Sequence, residues 1–132
     1  MSYKNALLNT TDLKSFESIA NLIQAGILLV DPNKKDMPIV FVNDSFVQTT
    51  GYTKEEAIGK NARFLQGEFV DQTPKNKLKK ALKEQQTCEI ELKNFTKNGT
   101  PFYNLLKITP LFDESGKLIY YMGIQFDITN SI

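Results

Sequence analysis

The sequence predicts a single α+β domain in which strands lie on both sides of a run of short helices. From Cys88 onward, apolar and polar residues alternate with a period of two, which is the pattern of half-buried strands. The middle of the chain has helical spacing, but glycines interrupt it repeatedly. The length of 132 residues suits one hydrophobic core, because domains cluster at about 100–150 residues.

An amphipathic helix is predicted at the start of the chain, over residues 11–24. Either Thr10 or Thr11 can act as its N-cap, and Gly26 ends it. The apolar residues at helical spacing are Leu13, Phe16, Ile19, Ala20 and Ile23. This apolar face has two interpretations, a cap over a sheet or a dimer contact, and we slightly favour the dimer contact.

Two short strands are predicted next, at residues 27–30 and 39–42. The first run is apolar and ends at Asp31-Pro32, and the second follows Pro38 and ends at Asn43. Turn-forming residues at the boundaries of short apolar runs are typical of strands.

The helices predicted in the middle of the chain are short. Asn43 or Asp44 can cap one segment, and Thr53 opens a capping box for another. Both segments stop at a glycine. A longer helix begins near Pro74 and carries lysines on its outer face.

A three-stranded meander is predicted at the end of the chain. Its first strand begins near Cys88, and Asn98-Gly99 is a strong hairpin signal. The returning strands are expected at residues 102–112 and 118–128.

Charge and composition exclude several classes of function. Sixteen basic residues against fifteen acidic ones leave a net charge of +1, so neither nucleic acid nor an anionic membrane is expected as a partner. The longest apolar run is far shorter than the ~18–20 residues that span a bilayer, and we expect a cytoplasmic protein. With one cysteine, Cys88, and no histidine, the chain cannot build a Cys/His zinc site or a Ser-His-Asp triad. We therefore expect no metal site and no enzymatic activity.

Two amides fall on the core side of the predicted meander. Asn94 continues the inward alternation of its strand, and Asn104 shares a face with Leu106. A buried amide without partners costs about 1–3 kcal/mol. The partner is either a heteroaromatic ligand edge or a protein group, such as the other asparagine, the backbone or buried water. For Gln125 on the last strand, the alternation does not indicate a direction.

The segment of residues 59–67 groups polar side chains between two glycines. It contains Asn61, Gln66 and Arg63, the one arginine in the chain. A guanidinium can bind phosphate or carboxylate with two parallel hydrogen bonds, which a lysine cannot reproduce. The alternative for Arg63 is a surface salt bridge, which the residues alone favour.

This segment reads GKNARFLQG and resembles the signature of LOV domains, the flavin-binding blue-light sensors of the PAS superfamily. Family members have a cysteine where this chain has Ala62. Other segments match family motifs in the same order, namely residues 38–43, 46–52, 97–99, 102–104 and 123–129. The resemblance covers roughly residues 25–129 and is nearest to the short bacterial LOV domains. It implies a LOV core over residues 25–130, with a flanking helix within residues 1–24.

The resemblance implies a five-stranded antiparallel sheet with short helices on one face that enclose a flavin. The expected flavin is FMN, held non-covalently, with riboflavin or FAD as alternatives. By family analogy, Asn94 and Asn104 bind the pyrimidine edge of the ring. Gln66 contacts the polar side of the ring, Gln125 faces the N5/O4 region, and Leu106 belongs to the cofactor-binding set.

The resemblance also assigns the rest of the cofactor. It places Asn61 at the ribityl chain and Arg63 at the phosphate. Many family members have a second phosphate-binding arginine, and our alignment puts Lys79 there, with Lys80 as the neighbouring alternative. A lysine supplies charge without the forked geometry.

Ala62 decides the mechanism that the resemblance implies. LOV photochemistry needs the signature cysteine as nucleophile, and a methyl group cannot replace it. Cys88 is not expected to substitute, because it begins a strand and buried cysteines are usually inert. We therefore expect a flavin-based fluorescent protein that absorbs blue light and emits green.

Three alternatives remain open. A sensory module could signal through flavin radical chemistry read by Gln125, with a homodimer formed through the N-terminal helix and the sheet face. A flavin oxidoreductase lacks support, because no nicotinamide-binding fingerprint is present. A ligand-free PAS interaction domain would be colourless.

Overall fold

The computed structural model describes residues 10–67 and 72–131. The helices are α1 Thr10–Ala20, α2 Asp44–Thr50, α3 Lys54–Ala57 and α4 Gln72–Glu84, with 3₁₀ helices at Ala62–Gln66 and Thr129–Ser131. The strands are β1 Gly26–Val30, β2 Ile39–Val42, β3 Cys88–Phe95, β4 Pro101–Phe112 and β5 Leu118–Asp127. These strands form one antiparallel sheet in the order β2-β1-β5-β4-β3. The predicted α+β fold with five antiparallel strands is confirmed.

The helices α2 to α4 lie against one face of this sheet, here called the inner face. Leu28 of β1, Phe46 of α2 and Leu65 of the first 3₁₀ helix belong to one buried cluster. Ala81 of α4 packs in a second cluster with Ile90 of β3. Full burial of an apolar side chain stabilises the fold by about 1.5–3 kcal/mol, so these two clusters hold the helices on the sheet.

Helix α1 covers the opposite, outer face of the sheet. Its Phe16 ring meets Phe41 of β2 edge to face, with ring centroids 5.6 Å apart. Ala20 is buried beside Leu29. The cap over the sheet, which was one of the two interpretations of this helix, is therefore present. Ile19 remains 62% exposed, so part of the helix is not covered.

Helix α1 ends at Ala20, four residues earlier than the sequence predicts. The predicted flanking segment extends back over residues 1–9, which lie outside the described residues. The helix ends early where residues distant in the sequence form hydrogen bonds with it, and the spacing of apolar residues does not reveal such bonds. The carbonyl of Ala20 accepts a hydrogen bond from Asn43 Nδ2 at 2.8 Å, and Asn21 Oδ1 accepts one from the Asp44 amide at 3.0 Å.

Asn43 joins three elements through all four hydrogen bonds that its amide can make. Its Oδ1 accepts from the backbone amides of Ile27 at 2.8 Å and Phe46 at 3.1 Å. Its Nδ2 donates to the carbonyls of Ala20 at 2.8 Å and Ala25 at 2.9 Å. The side chain therefore caps α2 and links it to α1 and β1, and it is fully buried.

The predicted capping box at Thr53 is confirmed. Thr53 Oγ1 accepts from the Glu56 amide at 3.1 Å, and Glu56 Oε1 accepts from the Thr53 amide at 2.9 Å. Lys97 Nζ lies 2.6 Å from the other carboxylate oxygen of Glu56. The hydrogen bond from Lys97 and that from the Thr53 backbone lower the pKa of Glu56 to about 2. The Glu56 carboxylate of the capping box therefore stays ionised far into the acidic pH range.

In the ranges that are described, no helix has the length and apolar character needed to cross a bilayer. Within the same ranges, no three acidic or cysteine side chains come together in a way that could hold a metal ion.

The substitution Asn43→Ala is expected to lower the free energy of unfolding by about 2–4 kcal/mol. It removes an N-cap and leaves buried donors and acceptors without partners. Urea denaturation followed by far-UV circular dichroism measures the change. Asn33→Ala is the control, because Asn33 donates one exposed bond, to the Leu118 carbonyl. A loss under about 1 kcal/mol for Asn43→Ala would show that the junction does not depend on this side chain.

Candidate functional site

A cavity of about 120 Å³ lies between the inner face of the sheet and the helices. The strands contribute Leu28, Val30, Leu92, Asn94, Leu106, Ile108, Tyr121, Gly123 and Gln125. The helices and the loop before β2 contribute Met37, Asn61, Ala62, Arg63, Leu65, Gln66, Leu78 and Leu82. The lining is mainly aliphatic, with the amides on two strands and around the first 3₁₀ helix.

Alternation along β3 and β4 places two asparagines on the inner face. Asn94 is 2% exposed and Asn104 is fully buried. Asn104 Nδ2 donates to Asn94 Oδ1 at 3.0 Å, and Asn94 Nδ2 donates to the Lys93 carbonyl at 3.1 Å. The inward direction of both side chains is therefore confirmed, and they do bond to each other.

That mutual bond does not satisfy the buried amides. Among the side chains that the structure describes, two buried acceptors have no hydrogen-bond partner, Asn104 Oδ1 and Gln125 Oε1. An unpaired buried acceptor costs about 1–3 kcal/mol. The protein partners expected as one alternative are therefore present, because Asn104 bonds to Asn94 and Asn94 bonds to the backbone. They leave the carbonyls of Asn104 and Gln125 open.

Gln125 points inward, which the sequence could not decide. It lines the cavity and is 6% exposed. It pairs with Gly26 of β1, where an added Cβ would lie 3.2 Å from Gln125 Oε1. Gly123 lines the cavity two residues earlier, and a Cβ there would lie 3.2 Å from Leu28 Cγ. The two glycines keep this part of the inner face free of side chains.

Asn61 is the N-cap of the first 3₁₀ helix, and its Oδ1 accepts from the Arg63 amide at 3.0 Å. Asn61 Nδ2 donates to the Asp36 carbonyl at 2.7 Å. The Arg63 guanidinium lies 2.6 Å from Asp36 Oδ2, and both side chains are more than half exposed. The surface salt bridge proposed as an alternative for Arg63 is therefore present, and Arg63 also lines the cavity.

Ala62 presents a methyl group to the cavity. Cys88, the one cysteine in the sequence, is buried in the cluster of Ala81 and Ile90 and is not among the lining residues. Among the described lining residues, Met37 is the one that contains sulfur, and a thioether is not a thiol nucleophile. None of the described lining residues therefore carries a thiol that could bond covalently to a ligand.

The structure brings together most of the residues predicted from the sequence. Those that line the cavity are Asn61, Ala62, Arg63, Gln66, Asn94, Leu106 and Gln125. Asn104 lies beside them through its bond to Asn94. Lys79 and Lys80 are exposed on α4 and are not among the lining residues.

Tyr121 is the polar lining residue that the sequence analysis missed. Its hydroxyl donates to the Leu82 carbonyl of α4 at 2.7 Å, and its side chain is 2% exposed. Burial raises the pKa of this phenol. It shares the alternation of Gly123 and Gln125 along β5, and the sequence does not indicate which face of that strand points inward. Met37 gave no sequence signal.

The arrangement is suited to bind a flat heteroaromatic molecule. Aliphatic side chains enclose the cavity, and the amides around it provide hydrogen-bond donors and acceptors. Arg63 and Tyr121 are the ionisable groups among the described lining residues. An acid or base suited to catalysis at neutral pH is not among them.

The substitution Gln125→Leu is expected to raise the free energy of unfolding of the ligand-free protein by about 1 kcal/mol. It replaces an unpaired buried carbonyl with an apolar group of similar volume. Urea denaturation measures the change, and Gln48→Leu on the exposed side of α2 serves as the control. A loss of stability with Gln125→Leu would show that this amide is satisfied in solution.

Comparisons with known proteins agree with this architecture. The PAS domain family model matches residues 24–130. A blue-light photoreceptor of Listeria innocua is 48% identical over 109 residues, which are 83% of this chain and 43% of that protein. The chain therefore spans less than half of that curated relative.

Solved structures give the same result. An RNA-binding light-oxygen-voltage receptor has a TM-score of 0.86 at 28% identity, covering 96% of this chain and 34% of that one. A structure from a flavin-analogue study of light-oxygen-voltage domain mechanism has a TM-score of 0.80 at 31% identity, covering 94% of this chain and 89% of that one. The chain belongs to the PAS domain family and has the fold of its light-oxygen-voltage, or LOV, members.

Proposed function

We propose that this LOV domain holds a flavin non-covalently, forms no cysteinyl adduct with it, and acts as a blue-absorbing, green-emitting flavin protein. The observation that carries the proposal is the pair of buried carbonyls without partners, on Asn104 and Gln125. They lie beside a cavity that is also lined by Ala62, at the position of the signature cysteine. A flavin, when bound, supplies blue absorption and an excited state that can emit.

The amides fit the polar edge of a flavin ring. The pyrimidine part of the ring presents one N–H donor between two carbonyl acceptors, and its edge therefore needs both kinds of partner. Asn94 and Asn104 offer donors and an open acceptor, since their mutual bond uses one of each. Gln125 and Gln66 would bind the rest of the polar side, and Leu106 would pack on the ring.

The first 3₁₀ helix would hold the side chain of the flavin. Asn61 would bind the ribityl hydroxyls and Arg63 a terminal phosphate, because both line the cavity. FMN is the flavin that we propose, with riboflavin or FAD as alternatives. A second phosphate contact from Lys79 is the least supported assignment, because that lysine lies on the exposed side of α4.

The proposed role is binding and light response rather than catalysis. The described lining contains no acid or base suited to proton transfer at neutral pH. We propose a cytoplasmic location, because the apolar runs of the sequence are short. From the net charge of +1, we propose neither membrane nor nucleic acid as partner. The RNA-binding receptor among the similar structures is a different and longer chain.

The absorption and emission spectra of the purified protein test the proposal. A flavin-like absorption band with vibronic structure and green emission are expected, and continuous blue light should not bleach the band into a state that recovers in darkness. Denaturation should release a pigment that mass spectrometry identifies as a flavin. Colourless protein would instead support a ligand-free PAS interaction domain.

The substitution Ala62→Cys is expected to create a reversible bleaching under blue light. The new thiol would stand in the cavity lining, where the present methyl group cannot react. Absorbance recovery in the dark measures the effect. Cys88→Ser, introduced together with Ala62→Cys, should leave the recovery unchanged, because Cys88 is outside the lining. If Cys88→Ser abolished the bleaching, the assignment of residue 62 would be wrong.

A second candidate function is signalling through association of two copies. Apolar side chains in the last turn of α1 and just after it are exposed, with Ile19 at 62%, Leu22 at 83% and Ile23 at 42%. Phe126, on the outer face of β5, is 45% exposed. Exposed apolar side chains that are grouped on a surface favour an interaction site there. We propose that the homodimer forms through α1 and the outer face of the sheet, with Gln125 responding to the state of the flavin.

Sedimentation velocity in darkness and under blue light tests the signalling function. A dimer whose population changes with light is expected, because β5 carries both Gln125 and Phe126. Leu22→Ser should weaken the dimer, and Ile58→Ser, at an exposed apolar residue on another part of the surface, should not. Identical sedimentation in both conditions would remove signalling and leave the fluorescent function.

A further inference from the structure

We propose that Asp36 makes the flavin site nearly indifferent to a terminal phosphate, so that riboflavin and FMN bind with comparable affinity. The inference rests on the proposed flavin-binding function and narrows it, because it assigns recognition to the ring and the ribityl chain. Asp36 is thereby a specificity-determining residue.

Asp36 contacts two polar side chains at the start of the first 3₁₀ helix, those of Asn61 and Arg63. Its carboxylate oxygen Oδ2 lies 2.6 Å from Arg63 Nη2. Its backbone carbonyl accepts from Asn61 Nδ2 at 2.7 Å. A phosphate that approached Arg63 would therefore meet a guanidinium that already holds a carboxylate.

The backbone fixes Asp36 in this place. Asp36 and Met37 both have positive φ angles, of 65° and 46°, which residues other than glycine rarely adopt. The loop is closed by a bond from the Asp31 amide to the Pro38 carbonyl at 3.0 Å. Met37 packs against the buried cluster and lines the cavity. The carboxylate is thus presented by an anchored turn.

The charges at this end of the cavity cancel. Among the described residues, Arg63 is the one base in the lining, and Asp36 neutralises it. Lys79 is exposed outside the lining.

A phosphate monoester carries a charge of about −1.5 to −2 at pH 7. At Arg63 the phosphate would be attracted by the guanidinium. It would also be repelled by the Asp36 carboxylate, which is bound to the same guanidinium. Riboflavin has no phosphate and is neutral, so the Arg63–Asp36 pair neither strengthens nor weakens its binding. The net preference for FMN is therefore small.

A competition experiment on the purified protein tests the inference. The protein is incubated with excess FMN and riboflavin in equal amounts, washed and denatured, and chromatography of the released flavins gives the affinity ratio directly. For the wild-type protein, FMN should be favoured by less than about tenfold. Asp36→Asn should shift the ratio toward FMN by about two- to fivefold, the range that one exposed ion pair can contribute.

Asparagine tolerates a positive φ, so Asp36→Asn keeps the turn, and circular dichroism verifies the fold. Glu91→Gln is the matched control, because it removes the same charge from an exposed position on β3 and should leave the ratio unchanged. A wild-type preference for FMN above tenfold, or a shift below twofold with Asp36→Asn, would overturn the inference. If neither flavin were retained, the proposed function itself would fail, which is a different result.

Raising the salt concentration supplies an independent readout. Screening weakens exposed charge interactions, so salt should lower the FMN preference of Asp36→Asn protein. The wild-type ratio should change little, because its pair is already neutral. A strong salt dependence of the wild-type ratio would contradict cancellation at Arg63.

Discussion

The demand of buried amides for hydrogen-bond partners is the constraint on which this structure depends. Asn43 meets it completely inside the protein, and its four bonds join α1, β1 and α2. Asn104 and Gln125 meet it only in part, since each keeps a buried carbonyl without a partner. The same chemical group therefore has two roles. Where it is satisfied it holds the fold together, and where it is open it defines the site.

The fold places the open amides where a planar ligand could use them. Strands β3, β4 and β5 present alternate residues to the inner face, while the short helices close the cavity from the other side. Gly26 and Gly123 lack side chains where a Cβ would crowd Gln125 and Leu28. Four of the five strands, together with the helices above them, thus supply both the polar and the apolar lining of the cavity.

The sequence predicts what depends on local order and misses what depends on distant contacts. Alternation along β3 and β4 was enough to place Asn94 and Asn104 inward, and the capping box at Thr53 could be read from four residues. The direction of Gln125 could not be predicted, because both faces of β5 are covered in the middle of the sheet. The pairing of Arg63 with Asp36 joins residues 27 positions apart, and no period reveals it.

No other natural side chain can reproduce the four bonds that Asn43 makes from this position. Aspartate has the oxygens but lacks two hydrogens for the carbonyls of Ala20 and Ala25. Glutamine carries the same amide one methylene too far from the backbone, and serine has too few donors and acceptors. Asn43 should therefore be kept when other residues of the protein are replaced.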